Sequence, residues 1–219
     1  MSFLKNLFSS TQKVKGSSYD IVKERGIKKA LENDHLEPIE SIFSKSSWED
    51  KYNIKIKEVL LKGLSDSPLL RFQIFPSWGT ESILQIEFDR KEKQYYLVYH
   101  ESDKNISHLE ENESTTIHKY KKAIQSSDVK LIENIFEGAI FQAKYSQSSN
   151  AMTDGVRYYF SVRYRVGQVS SPYEETNMGK LVRLGYSLMD LAKNDNPNIV
   201  FNELIMKNIE YLTENLLNE

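Results

Sequence analysis

Between residues 70 and 101 the apolar side chains recur at every second residue, and this constrains the fold more than any other feature. Leu70, Phe72 and Ile74 alternate with Arg71, Gln73 and Phe75, and residues 82–89 (SILQIEFD) repeat the pattern with Leu84, Ile86 and Phe88 inward. Residues 94–101 (QYYLVYHE) supply a third run. A period of two sends successive side chains to opposite faces of a strand. Pro76-Ser77-Trp78-Gly79 and Arg90-Lys91-Glu92-Lys93 separate the runs as turns. Three sequential antiparallel strands joined in this way form a meander.

Helical periods flank it. A capped helix is predicted from about Ser17 to Leu31, followed by a break at Glu32-Asn33-Asp34 and a new helix at Pro38. Trp48, Tyr52, Ile56 and Leu60 recur every fourth residue, and Gly63 suits the C-terminal cap. Further helices are predicted around 114–125, 127–145 and 177–193, and after Asn196-Pro197, where Leu204, Ile205, Ile209, Leu212 and Leu216 form an apolar face. A later strand, 156–166 (VRYYFSVRYRV), divides into an apolar face and a face carrying Arg157, Tyr159, Ser161, Arg163 and Arg165, with Gly167 as its turn. That second face has three readings: a grip for an acidic partner, a phosphate or a nucleic-acid backbone, a solvated outer face, or cross-strand pairing with Gln85, Glu87 and Asp89. The expected class is α+β, an antiparallel sheet of a meander plus a later aromatic strand, flanked by helices.

An internal echo bears on the number of units. Residues 28–43 (KKALENDHLEPIESIF) and 121–136 (KKAIQSSDVKLIENIF) align without a gap and share seven of sixteen residues. Such self-similarity suggests a duplicated helical hairpin. The organisation read from this is a single domain over 1–219, with related halves at 18–101 and 112–172 and closing helices at 177–217.

The chain of 219 residues is long enough to bury its own core. It has no cysteine, which excludes disulfides, thiol nucleophiles and zinc–thiolate sites. The start, MSFLKNLFSS, is too short in apolar residues for a secretory signal. No run approaches the ~20 apolar residues of a membrane span, so a cytoplasmic location without membrane contact is expected. Net charge is −2 and evenly spread, which gives nucleic-acid binding poor support.

No assembled reaction chemistry stands out. The phosphate-loop, dinucleotide and nucleophile-elbow patterns are missing from the sequence. His100, His108 and His118 lie near Glu101, Glu110, Glu111 and Glu113, but their spacing shares no helical face. We therefore expect no catalytic residue, no metal and no cofactor. The better candidates are aromatic and arginine side chains, the types that concentrate interface energy. Arg71, Trp78, Arg157, Tyr159, Arg163 and Tyr173 are the candidate partner-binding residues. Trp78, after a Pro-Ser turn, either projects for contact or folds back as a lid on the core.

The segments LLRFQIFPSW and GVRYYFSVRYRVGQVSSPYEETNMGKLVRLG resemble motifs in uncharacterised bacterial α+β proteins of this size. In size, composition and lack of cysteine the chain is also similar to the immunity partners of bacterial secreted toxins. That resemblance implies a non-catalytic binding protein whose protein partner is a toxin, and it supplies no residue-level match. Two alternatives stand beside it. One is a hydrolase or transferase using His100, Glu101 and a loop carboxylate. The other is a peptide-binding scaffold or adaptor with a groove lined by Ile39, Phe43, Ile132 and Phe136.

Overall fold

The computed structural model describes residues 28, 31–40, 42–43, 47–110, 113–145, 155–194, 201 and 203–217. The fold is α+β, built among the described residues on one antiparallel sheet of seven strands. The strands are β1 (Glu37–Pro38), β2 (Leu70–Pro76), β3 (Ser82–Asp89), β4 (Gln94–Ser102), β5 (Ile117–Ile124), β6 (Val156–Val162) and β7 (Arg165–Ser170). Their spatial order is β1-β7-β6-β2-β3-β4-β5. Four helices have both ends among the described residues, α1 (Ser47–Val59), α2 (Ser126–Phe141), α3 (Asn177–Lys193) and α4 (Glu203–Leu216), and Lys28, Leu31 and Glu32 are helical as well.

Alternation assigns each strand two faces, and the register aligns them across the sheet. Phe72 pairs with Leu84 on one side and Phe160 on the other, and Leu84 with Tyr99. This row and its neighbours Leu70, Ile86, Leu97 and Val162 are buried under α2, α3 and α4. Phe72 is the centre of that core. Its ring lies 4.8 Å from Phe160 and 6.0 Å from Tyr158, and Tyr186 of α3 meets it edge-on at 6.3 Å. Gly185 lets α3 come this close, because a Cβ there would stand 2.2 Å from the Phe72 ring.

The opposite face is mixed. Ile83, Ile56 and Leu60 form a small cluster with Ile106, under α1 and a 3-10 turn at Ile106–His108. Gln73 is fully buried on this face, and its amide atoms meet no hydrogen-bond partner. His100 is buried on the same face across Ile83 from Gln73, with its ring Nδ1 donating to the Leu60 carbonyl at 2.8 Å.

Several elements differ from the sequence reading. The meander and α3 lie where alternation and helical spacing placed them, but 117–124 is a strand, not part of a helix. It completes a ladder from Tyr95–Ile124 to Ser102–Ile117. The duplicated hairpin is therefore unsupported: Lys121–Ala123 lie in β5 while Lys28 is helical. Ile132, Ile135 and Phe136 are core residues of α2, whereas Ile39, Ile42 and Phe43 lie outside any helix. The long aromatic strand turns at Arg163-Tyr164, four residues before Gly167, and Arg163 takes a φ of 55° there. Gly167 instead makes room for Leu36, whose side chain would lie 2.9 Å from an added Cβ. Pairing of this strand with Gln85, Glu87 and Asp89, one of three readings of its polar face, does not occur, because β2 intervenes. Phe88, expected inward, is half-exposed at the strand end against Tyr95. The predicted helix at 17–31 and the Asn196-Pro197 cap lie mainly outside the described residues.

The loop before α3 is anchored from far away in sequence. Asp34 accepts the Asn177 and Met178 N–H groups at 2.7 and 2.8 Å, and Thr176 caps Gly179 at 3.0 Å. Gly185→Ala is expected to force α3 away from Phe72 and cost about 1–3 kcal/mol. Chemical denaturation checks this, and unchanged stability would contradict the close packing.

Candidate partner-binding surface

Trp78 projects from the turn after β2 with 80 % of its surface exposed. It is not a lid on the core. Its ring lies 5.2 Å from that of His108, inclined at 58°. The turn beneath is fixed from three sides. Ser77 N–H donates to the Gly155 carbonyl at 2.9 Å. Asn105 Nδ2 donates to the Gly79 carbonyl at 2.6 Å and reaches the Ser77 carbonyl at 3.5 Å. Gly79 packs over Pro76, where a Cβ would stand 3.0 Å from the proline ring.

Asn105 is itself held in place. Its Oδ1 accepts the His108 N–H at 3.2 Å and caps the 3-10 turn. That turn hangs on a buried carboxylate. Glu81 Oε2 accepts the Ile106 N–H at 2.7 Å, and Oε1 accepts the Ser107 N–H at 3.2 Å and the Tyr52 hydroxyl at 3.0 Å. Burial pushes the Glu81 carboxyl above the usual carboxylate range, and the donors from Ile106, Tyr52 and Ser107 pull it back. Burial, reinforced by the neighbouring Glu81, drives the Tyr52 phenol far above its ordinary value, so it stays a donor. A chain of contacts thus runs from α1 through Glu81 and the 3-10 turn to Asn105 and the Ser77 and Gly79 carbonyls that flank Trp78.

The six candidate residues do not converge. Pro76 pairs with Val156, and Ser171 N–H donates to the Val156 carbonyl at 2.9 Å, so the loops after β2 and β7 share one end of the sheet. Trp78 and the half-exposed Tyr173 leave from that end, and exposed Arg157 sits beside it opposite Phe75. Tyr159 is buried at 6 % exposure, its ring 5.4 Å from Phe75, so its assignment to a free surface is corrected. Arg71 is half-buried near the other end of β2. Its Nε donates to Gln85 Oε1 at 2.9 Å and its terminal nitrogen to the Ser65 carbonyl at 2.7 Å. Burial lowers its pKa, with Asp66 and Glu87 opposing. Arg163 also lies at the far end, on the β6–β7 turn, 3.2 Å from Glu133. Arg71 and Arg163 border separate clefts of about 270 and 500 Å³.

The geometry also separates the residues of the two alternatives. His100 and Glu101 are consecutive in β4 and face opposite sides of the sheet. His100 is spent on the Leu60 carbonyl. Glu101 accepts from Tyr99 at 2.7 Å and Tyr120 at 3.2 Å and pairs with Lys193 at 2.7 Å. Burial raises the Glu101 pKa, but these donors, Lys193 foremost, bring it below its ordinary value. Neither residue lines either cleft. Among the described residues no group of three histidine or carboxylate side chains is assembled for a metal. The proposed peptide groove is also dispersed, with Ile132 and Phe136 in the main core and Phe43 against the cluster on the other face. Among the described residues no helix is long and apolar enough to cross a membrane.

Compared with known proteins, the chain matches no family model, no curated protein and no solved structure.

Two outcomes follow from the buried groups. Glu81→Ala leaves the Ile106 N–H without its acceptor, and a stability loss of about 1–3 kcal/mol is expected, with faster amide exchange at 106–108. Burial, with Lys119 adding and the Leu60 hydrogen bond and Glu87 opposing, holds the His100 pKa below its ordinary value. The unfolded chain then takes up a proton near pH 6.5 that the folded state refuses. Stability should therefore fall as pH drops below about 6.5. His100→Asn keeps a donor for Leu60 without titrating and should flatten that part of the stability profile. An unchanged slope would show that His100 is not its source.

Proposed function

We propose that the protein is a non-catalytic binding protein that docks a protein partner on the end of the sheet carrying Trp78. The observation that carries this is an exposed tryptophan on a backbone already fixed before any partner arrives. An exposed indole gives large contact area, and a preformed turn removes most of the ordering cost of binding. His108, Arg157 and Tyr173 lie at or beside the same end and supply polar and aromatic contacts around the anchor.

Within this reading the partner is a bacterial toxin and the protein its immunity partner. The size and absence of cysteine support that class, and so does a surface built for contact in place of an assembled reactive centre. A cytoplasmic location belongs to the same proposal.

Trp78→Ala tests it. Partner captured from the native host by the wild-type protein should bind the variant at least ~30-fold more weakly, a hot-spot loss of about 2 kcal/mol. The variant's folding stability should change by less than about 0.5 kcal/mol, because the indole is exposed. Arg163→Ala, at the opposite end, should leave capture unchanged. Equal capture by wild type and Trp78→Ala would refute the site, and a captured toxin that stays fully active in the complex would refute the immunity role.

A further inference from the structure

The two edges of the sheet are built differently. At one end β1 contributes only Glu37 and Pro38, and proline there withholds a ladder donor. At the other, β5 runs for eight residues without a proline, and its register with β4 is unbroken. Among the described residues its outer side pairs with no other strand.

The ladder shows which backbone groups are free to pair outward. Asp103 N–H donates to the Thr116 carbonyl at 3.0 Å, and Ser102 N–H to the Glu81 carbonyl at 3.1 Å. Alternation from these two bonds turns His118, Tyr120, Lys122 and Ile124 toward β4. The N–H and C=O groups of Ile117, Lys119, Lys121 and Ala123 therefore point away from the sheet. Lys119, Lys121 and Ala123 are also exposed residues.

The charge on this edge has one sign. The strand reads IHKYKKAI, with three lysines, a histidine and no acid. Lys119 docks its ammonium on the Lys62 carbonyl at 3.0 Å, and Lys121 lies over the Tyr96 ring at 3.9 Å. Among the described residues neither forms an ion pair. Lysines on an edge repel a second copy of the same strand. The same charge favours a strand of opposite sign.

We infer that β5 is a second docking surface, which accepts an extended acidic segment of a partner protein as an eighth, edge-paired strand. Such β-augmentation draws affinity from main-chain hydrogen bonds and selectivity from the flanking side chains. It is independent of the Trp78 turn, because β5 lies three strands from β2.

The probe is a blocked ten-residue peptide alternating glutamate and threonine, titrated into the full-length protein. Saturable binding is expected, with amide exchange at Ile117, Lys119, Lys121 and Ala123 slowed at least tenfold. N-methylating alternate residues of the peptide, on the set that faces β5, should weaken binding at least tenfold with its charge intact. Lys119→Glu combined with Lys121→Glu should abolish it, and Lys121→Pro, which removes one outward N–H, should weaken it as strongly. If the proline variant does not fold, the N-methylated peptides decide. Full binding by both N-methylated sets would show attraction by charge alone and overturn the proposal. Protection elsewhere, no saturable binding, or self-association through β5 would overturn it too.

Discussion

The buried carboxylate of Glu81 ties together parts of the chain that share no local sequence signal. It receives a hydroxyl from α1 and two amides from the 3-10 turn, and the start of that turn holds the loop that presents Trp78. A charge taken out of water is costly unless its lone pairs are filled. Three donors fill them here, so the penalty of burial becomes a demand for one geometry. Displacing the 3-10 turn would strand the carboxylate, and displacing Tyr52 would remove its remaining donor. The position of the tryptophan follows from that demand.

The two faces of the sheet divide the work. The face under α2, α3 and α4 is a dry core whose central ring, Phe72, fits against a glycine and three aromatic rings. Packing of this kind makes the sheet rigid. The other face carries Gln73, His100, Glu81 and Arg71 among apolar residues. His100, Glu81 and Arg71 there fix loops and turns by directional bonds, which apolar contacts cannot do. The tip at the end of β2 therefore combines a stiff base with a specified loop.

What the sequence made legible was local. Alternation in β2, β3 and β4 and the apolar spacing of α3 depend on neighbouring residues, and these elements lie where they were read. Strand β5 was misread because Lys, Ala and Ile suit a helix in isolation, and only pairing with β4 makes IHKYKKAI extended. The β6–β7 turn was displaced because glycine usually marks a turn. Here Gly167 answers to Leu36, a residue distant in sequence. At the candidate site, Trp78 could be found from its Pro-Ser turn. Its brace could not, because Glu81 lies 25 residues from Ile106 and 29 from Tyr52, with no motif linking them. Tyr159 shows the converse error: strand alternation names a face but does not say whether that face is covered.

The central claim is that this end of the sheet is ordered by Glu81 before any partner binds. Native-state hydrogen exchange of the Ile106 and Ser107 amides in the isolated protein tests it most directly. Exchange of both only through global unfolding, with the free energy of the core strands, is the predicted result. Exchange through a local opening of low free energy, while the core stays protected, would show that the turn under Trp78 is not held by that carboxylate.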